Sequence, residues 1–139
     1  MKTAIALSAA AVLGTTVVGV CAAASPNNAR VTIRHQTAHC HAWALNSGPY
    51  AAHLDTSVAV GGTIIVTNND VMPHRLIEKS GPNAVLSSSP SMSHVGAKLK
   101  VMFPRAGTYI FTTKAGEDYM KGVKTTGDDN VLTLKVVVR

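Results

Sequence analysis

The stretch Gly62-Thr63-Ile64-Ile65-Val66-Thr67-Asn68-Asn69-Asp70-Val71-Met72-Pro73-His74 decides the fold of this chain. Its first half is a run of β-branched residues whose stiff side chains suit a pleated strand. The run stops at Asn68-Asn69-Asp70, and Pro73 restricts the backbone just before His74. The segment reads as a strand that ends in a turn presenting a histidine.

Strands follow on both sides of it. Upstream, Gly61-Gly62 separates Ser57-Val58-Ala59-Val60 from Thr63–Thr67, a pattern that predicts a two-residue hairpin. Val31-Thr32-Ile33-Arg34 and Lys98-Leu99-Lys100-Val101-Met102-Phe103 alternate apolar with polar residues. Arg75-Leu76-Ile77-Glu78, Thr108-Tyr109-Ile110-Phe111-Thr112-Thr113 and residues 131–138 complete the set, and the last run needs a neighbour on each side to bury its valines. Residues 80–96 are irregular. With no sustained helical period and no internal repeat, about seven strands between turn signals imply an all-β, antiparallel, Greek-key sandwich.

The chain begins with Met1-Lys2, an uncharged apolar run to Cys21, and Ala22-Ala23-Ala24 before Ser25-Pro26. That order of charged head, apolar middle and small-residue end is an export signal, so residues 1–24 are expected to be removed and residues 25–139 to form one domain. A periplasmic or extracellular location follows, with no transmembrane segment after cleavage. Loss of Lys2 leaves 12 basic against 7 acidic residues, a net +5, and a single cysteine, Cys40. With no second thiol, Cys40 is buried and inert, paired with another chain, or a metal ligand. No basic run with interleaved aromatics points to nucleic acid.

Two segments resemble the cupredoxins, the plastocyanin-like copper proteins. One is the opening stretch, similar to the family's strand, Asn and Pro-His segment. The other is Phe103-Pro104-Arg105-Ala106-Gly107-Thr108-Tyr109-Ile110-Phe111, similar to its Phe-x-x-x-Gly-Thr-Tyr-x-Phe strand. The resemblance implies a cupredoxin-like sandwich with His74 as a copper ligand. In the family the second strand runs on into Cys, His and Met ligands. Here Thr113 stands at the cysteine position, no histidine follows, and only Met120-Lys121-Gly122 keeps the ending. A blue-copper centre rests on a Cu–thiolate bond within a His₂Cys plane, so this chain departs from that chemistry.

The family's topology implies that His53, His94 and Met120 gather near His74, with Met72 and Met92 beside them. Imidazole and thioether donors suit copper, Cu(I) especially where sulfur contributes. Glu117 and Asp118 offer an oxygen ligand for Cu(II). A second group is His35-Gln36-Thr37-Ala38-His39-Cys40-His41-Ala42-Trp43. If extended, it places His39 and His41 on one face about 7 Å apart and Cys40 on the other. The candidate metal ligands are thus His74, Met120, His94, His53, His41 and His39, with copper, Cu(I) or Cu(II), as the cofactor. The expected function is copper carriage, buffering or homeostasis outside the cytoplasm, with a redox or copper-delivery protein as partner. An electron-transfer protein with an unorthodox site and a metal-free adhesion or assembly domain are the alternatives. Nothing in the sequence pairs a nucleophile with a base, so an enzyme is not expected.

Overall fold

A computed structural model of the chain describes residues 25–116 and 125–139. The expected export signal, Met120, Glu117 and Asp118 lie outside the described residues. Regular structure within them is entirely β: β1 (Asn28–His35), β2 (His41–Leu45), β3 (His53–Val58), β4 (Thr63–Asn69), β5 (His74–Ser80), β6 (Val85–Leu86), β7 (Ser91–Met92), β8 (Ala97–Met102), β9 (Gly107–Ala115) and β10 (Thr133–Val138). They form two five-stranded sheets, ordered β2-β1-β4-β8-β6 and β3-β10-β9-β5-β7. The described strands number ten rather than about seven, because the irregular 80–96 stretch contributes the two-residue strands β6 and β7 and a strand forms at His41.

Period-two burial builds the core between the sheets. Val31 and Ile33 of β1, Ile64 and Val66 of β4, and Leu99 and Val101 of β8 face Tyr109 and Phe111 of β9 and Leu134 and Val136 of β10. Trp43 is fully buried, and its indole N–H donates to the carbonyl of Ala52 at 3.1 Å, so the ring enters the core with its one polar atom satisfied. The Tyr109 hydroxyl likewise donates to the carbonyl of Arg105 at 2.9 Å. As expected, β10 lies inside its sheet, between β3 and β9.

The expected hairpin at Gly61-Gly62 does not form. β3 and β4 belong to different sheets, and the two glycines carry the chain across the sandwich. Gly61 takes φ +76°, a conformation open to glycine, and its N–H is held by the carbonyl of Phe103 at 2.8 Å. A side chain at Gly62 would meet the carbonyl oxygen of Ala59 at 2.7 Å. The turn signal was read correctly, but the inward valine of β3 and isoleucine of β4 are better buried from opposite walls. For the same reason the sandwich is not purely antiparallel: after each crossing, β4 runs parallel to β1 and β10 parallel to β3.

Candidate metal centre

At one end of the sandwich the inward-facing positions stop being apolar. In β4, Ile64 and Val66 face the core, and the same parity continues through Asn68, Asp70, Met72 and His74 to Leu76, every one of them buried. In β1 the parity of Val31 and Ile33 leads to His35. In β9 the parity of Tyr109 and Phe111 leads to Thr113. The C-terminal ends of β1 and β9 and the β4–β5 connection therefore deliver polar groups to one place, and β2 begins there with His41.

The geometry is close. One ligand atom from each of His41, Asp70 and His74 lies within 4.8 Å of the others, and all three residues are buried. The Asp70 carboxylate spans the group, with Oδ2 3.2 Å from His74 Nε2 and Oδ1 3.4 Å from His35 Nδ1. A carboxylate only accepts, so His74 Nε2 donates to Asp70, and its Nδ1 lies 3.1 Å from the Thr113 hydroxyl. The His41 and His74 rings meet edge to face with centroids 5.0 Å apart. Among the described residues, His41 Nδ1 and both ring nitrogens of His35 have no hydrogen-bond partner.

The turn that carries Asp70 is held by its own side chains. Asp70 Oδ1 accepts from the Met72 amide at 2.9 Å, and Asn68 Oδ1 accepts from the Asp70 amide at 2.9 Å. The Asn68 amide group donates to the carbonyls of Met72, at 2.9 Å, and Met92, at 3.0 Å. Asn68 is fully buried, so its three side-chain contacts replace water in fixing the loop. From the other side, Asn130 donates to the carbonyl of His41 at 2.8 Å and fixes the start of β2.

These surroundings set the charges. Burial pushes the Asp70 carboxyl up, but the hydrogen bond from His74, the Met72 amide and the charges of His74 and His35 outweigh it and hold the group below its ordinary value. Burial, then the neighbouring His74, hold the His41 imidazole below its usual value, against the opposing pull of Asp70 and Asp129. An ionised carboxylate beside a neutral, partly unpartnered imidazole is the protonation pattern that a metal ion requires of its ligands. The residues present fit a metal ion.

No protein-family model and no curated protein sequence matches this chain. Among solved structures it is similar to a purple cupredoxin from Nitrosopumilus maritimus, at 18% identity over 79% of this chain and 98% of that one, with a TM-score of 0.44. Its structural neighbours include cupredoxins. A reduced amicyanin variant is similar at 18% identity over 78% of this chain and 80% of that one, TM-score 0.41. A cysteine protease inhibitor from Entamoeba histolytica is similar at 15% identity over 82% of this chain and 99% of that one, TM-score 0.38.

Of the residues singled out in the sequence, the sandwich brings His74 and His41 together. His53 is exposed at the start of β3, and His94 is exposed beyond β7, where its Nδ1 lies 3.3 Å from the Ser93 hydroxyl. His39 and His41 do not share the face of an extended strand. His39 and Cys40 take φ of 62° and 60°, and β2 begins only at His41. His39 is turned to the surface, its Nδ1 3.2 Å from the carbonyl of Asp128. Cys40 is buried with its thiol donating to Met72 Sδ at 3.3 Å. Burial, followed by the nearby Asp129 and Asp70, pushes that thiol up to about 11. Asp70 and His35 were not foreseen as site residues, although the parity running from Ile64 and from Val31 already points them inward.

Proposed function

We propose that this chain is an exported copper-binding protein, serving copper carriage, buffering or homeostasis, whose ion is held by His41, Asp70 and His74 without a thiolate. The observation that carries this reading is the convergence of three buried ligand groups within 4.8 Å, at the end of a cupredoxin-like sandwich. Imidazole suits copper, and a carboxylate adds an oxygen donor where a blue-copper site would have sulfur. When bound, copper would supply a positive charge that binds the carboxylate and the unprotonated imidazole nitrogens. The protein's own part is to keep those donors dry and oriented. Asn68 fixes the loop of Asp70, and the Thr113 hydroxyl fixes the ring of His74. Thr113 can do so in either state, because a hydroxyl both donates to an imidazole nitrogen and accepts from an imidazole N–H.

Residues 25–139 purified and loaded with Cu(II) or Cu(I) should retain about one ion per chain against a modest chelator. The His74→Ala variant should retain far less, and a Met120→Leu variant reads out whether the thioether contributes. Retention by His74→Ala equal to that of the parent removes the central ligand and returns the sandwich to a structural role.

A further inference from the structure

Resting on the reading of this group as a metal site, we propose that His35 is a further ligand, completing a three-histidine, one-carboxylate centre that selects a divalent ion over Cu(I). His35 and His41 are direct partners in the antiparallel register of β1 and β2. Directly opposed residues project on the same face of a sheet with Cβ atoms about 4.5–5.5 Å apart. His41 is buried on that face, and His35 continues the inward parity of Val31 and Ile33. The two rings therefore enter the site side by side from neighbouring strands.

Asp70 joins them to His74. Its Oδ1 is 3.4 Å from His35 Nδ1 while its Oδ2 is 3.2 Å from His74 Nε2, so a single carboxylate lies between two imidazoles contributed by the two sheets. The His35 contact does not have the geometry of a hydrogen bond. Three of the four buried side-chain polar atoms without a partner among the described residues are the two ring nitrogens of His35 and Nδ1 of His41. Native interiors leave few such atoms, because each has given up its water without gaining a partner. Their concentration beside a shared carboxylate is what a coordination site looks like without its ion. An ordinary core histidine is instead satisfied by its neighbours.

The donor set speaks to the ion. Among the described residues, Cys40 Sγ and Met72 Sδ contact each other at 3.3 Å. Among the same described residues, the donor atoms brought together are imidazole nitrogens and carboxylate oxygens. Cu(I) is selected by thiolate and thioether, whereas nitrogen and oxygen donors favour divalent ions, with Cu(II) above Zn(II) in affinity. Three neutral imidazoles and one carboxylate leave a divalent ion with a net charge of +1, far less costly to bury than an uncompensated dication.

The test uses residues 25–139 with Cu(II), Zn(II) and Cu(I) in competition against chelators of graded strength, and pulsed EPR of the Cu(II) form to count coordinated imidazoles. Three imidazoles in the parent, preference for Cu(II) over Cu(I), and a fall of at least tenfold (about the loss typical of a disturbed metal shell) in Cu(II) and Zn(II) affinity for His35→Gln support the proposal. A metal-free His35→Leu variant should unfold no earlier than the parent, because it removes two unsatisfied nitrogens. Two imidazoles in the parent, tighter Cu(I) than Cu(II) binding, or unchanged affinity in His35→Gln overturns it. The imidazole count needs no variant, so it holds even if His35→Gln misfolds. Failure of the parent to bind any of these ions is a different result, which removes the metal reading itself.

Discussion

Replacing Thr113 by valine tests the way the sandwich holds its central histidine. Thr113 and valine have nearly the same shape, so the substitution deletes one hydroxyl and little else. That hydroxyl lies 3.1 Å from His74 Nδ1, and His74 is only 1% exposed, so water has no route to replace it. A buried polar group stripped of its partner costs about 1–3 kcal/mol. The added methyl group, half-buried at this position, returns at most about 0.8 kcal/mol. A net loss of about 1–2 kcal/mol remains, which in a domain of this size lowers the thermal midpoint by roughly 5–15 °C. Metal binding should suffer as well. When Nε2 gives up its proton to bind an ion, the proton left on Nδ1 needs an acceptor to hold the ring, and loss of such an outer partner typically weakens metal affinity about 10–100-fold. Far-UV circular dichroism melts of the metal-free variant and Cu(II) competition titrations measure the two effects separately. Thr113→Ser, which keeps the hydroxyl, should recover the affinity to within a few-fold of the parent. If Thr113→Val binds Cu(II) like the parent while Thr113→Ser does not, the hydroxyl is not positioning His74 and the reasoning fails.

Acid should destabilise the metal-free protein in two windows. His41 is held below its usual value in the fold, so the unfolded chain binds its proton more readily; the stability it contributes is full above about pH 6.5 and is lost as pH falls below that. Asp70, also depressed, adds a second loss below its ordinary value of 3.8. Urea melts from pH 8 to pH 3 check both, and a His41→Gln variant should lose the upper window alone. Cys40→Ala should leave Cu(II) affinity within about twofold of the parent, because the thiol is engaged by Met72 and held protonated by burial. A large loss of Cu(II) in a chelator competition would instead make Cys40 a ligand. Trp43→Ala should cost about 3–5 kcal/mol in urea unfolding, since it empties the most voluminous fully buried position and strips the Ala52 carbonyl of its donor.

Much of the fold could be read from period-two alternation and turn residues alone. The strands around Val31, Ile64, Leu99, Tyr109 and Val136 sit where their alternation put them, and β10 lies between two neighbours as its valines required. The crossing at Gly61-Gly62 could not be read, because a glycine pair makes the same local turn whether the next strand pairs with the last one or departs to the opposite sheet. The His39–Cys40 kink was hidden for a related reason. Two non-glycine residues with φ near +60° are held by contacts from far along the chain: the His39 amide donates to the carbonyl of Thr126 and the Asn130 amide to that of His39. Within the candidate site, His74 was legible through its resemblance to a known segment and His41 through its shared parity with Trp43. Asp70 looked like a turn residue. Its burial follows from parity that persists past the end of β4 through Met72 to His74, which a polar Asn-Asn-Asp run disguises. His35 was overshadowed by the denser His39-Cys40-His41 cluster, although only the β1–β2 register shows which of these histidines stand side by side.

Copper held by His41, Asp70 and His74 would sit buried among all three groups. Anomalous diffraction at the copper edge from crystals of the Cu(II)-loaded chain tests this placement most directly. One strong peak is expected among the ring nitrogens of His41 and His74 and the carboxylate of Asp70, with no peak against Cys40. A peak at His53, His94 or His39 on the surface, or one bonded to the Cys40 sulfur, would contradict it.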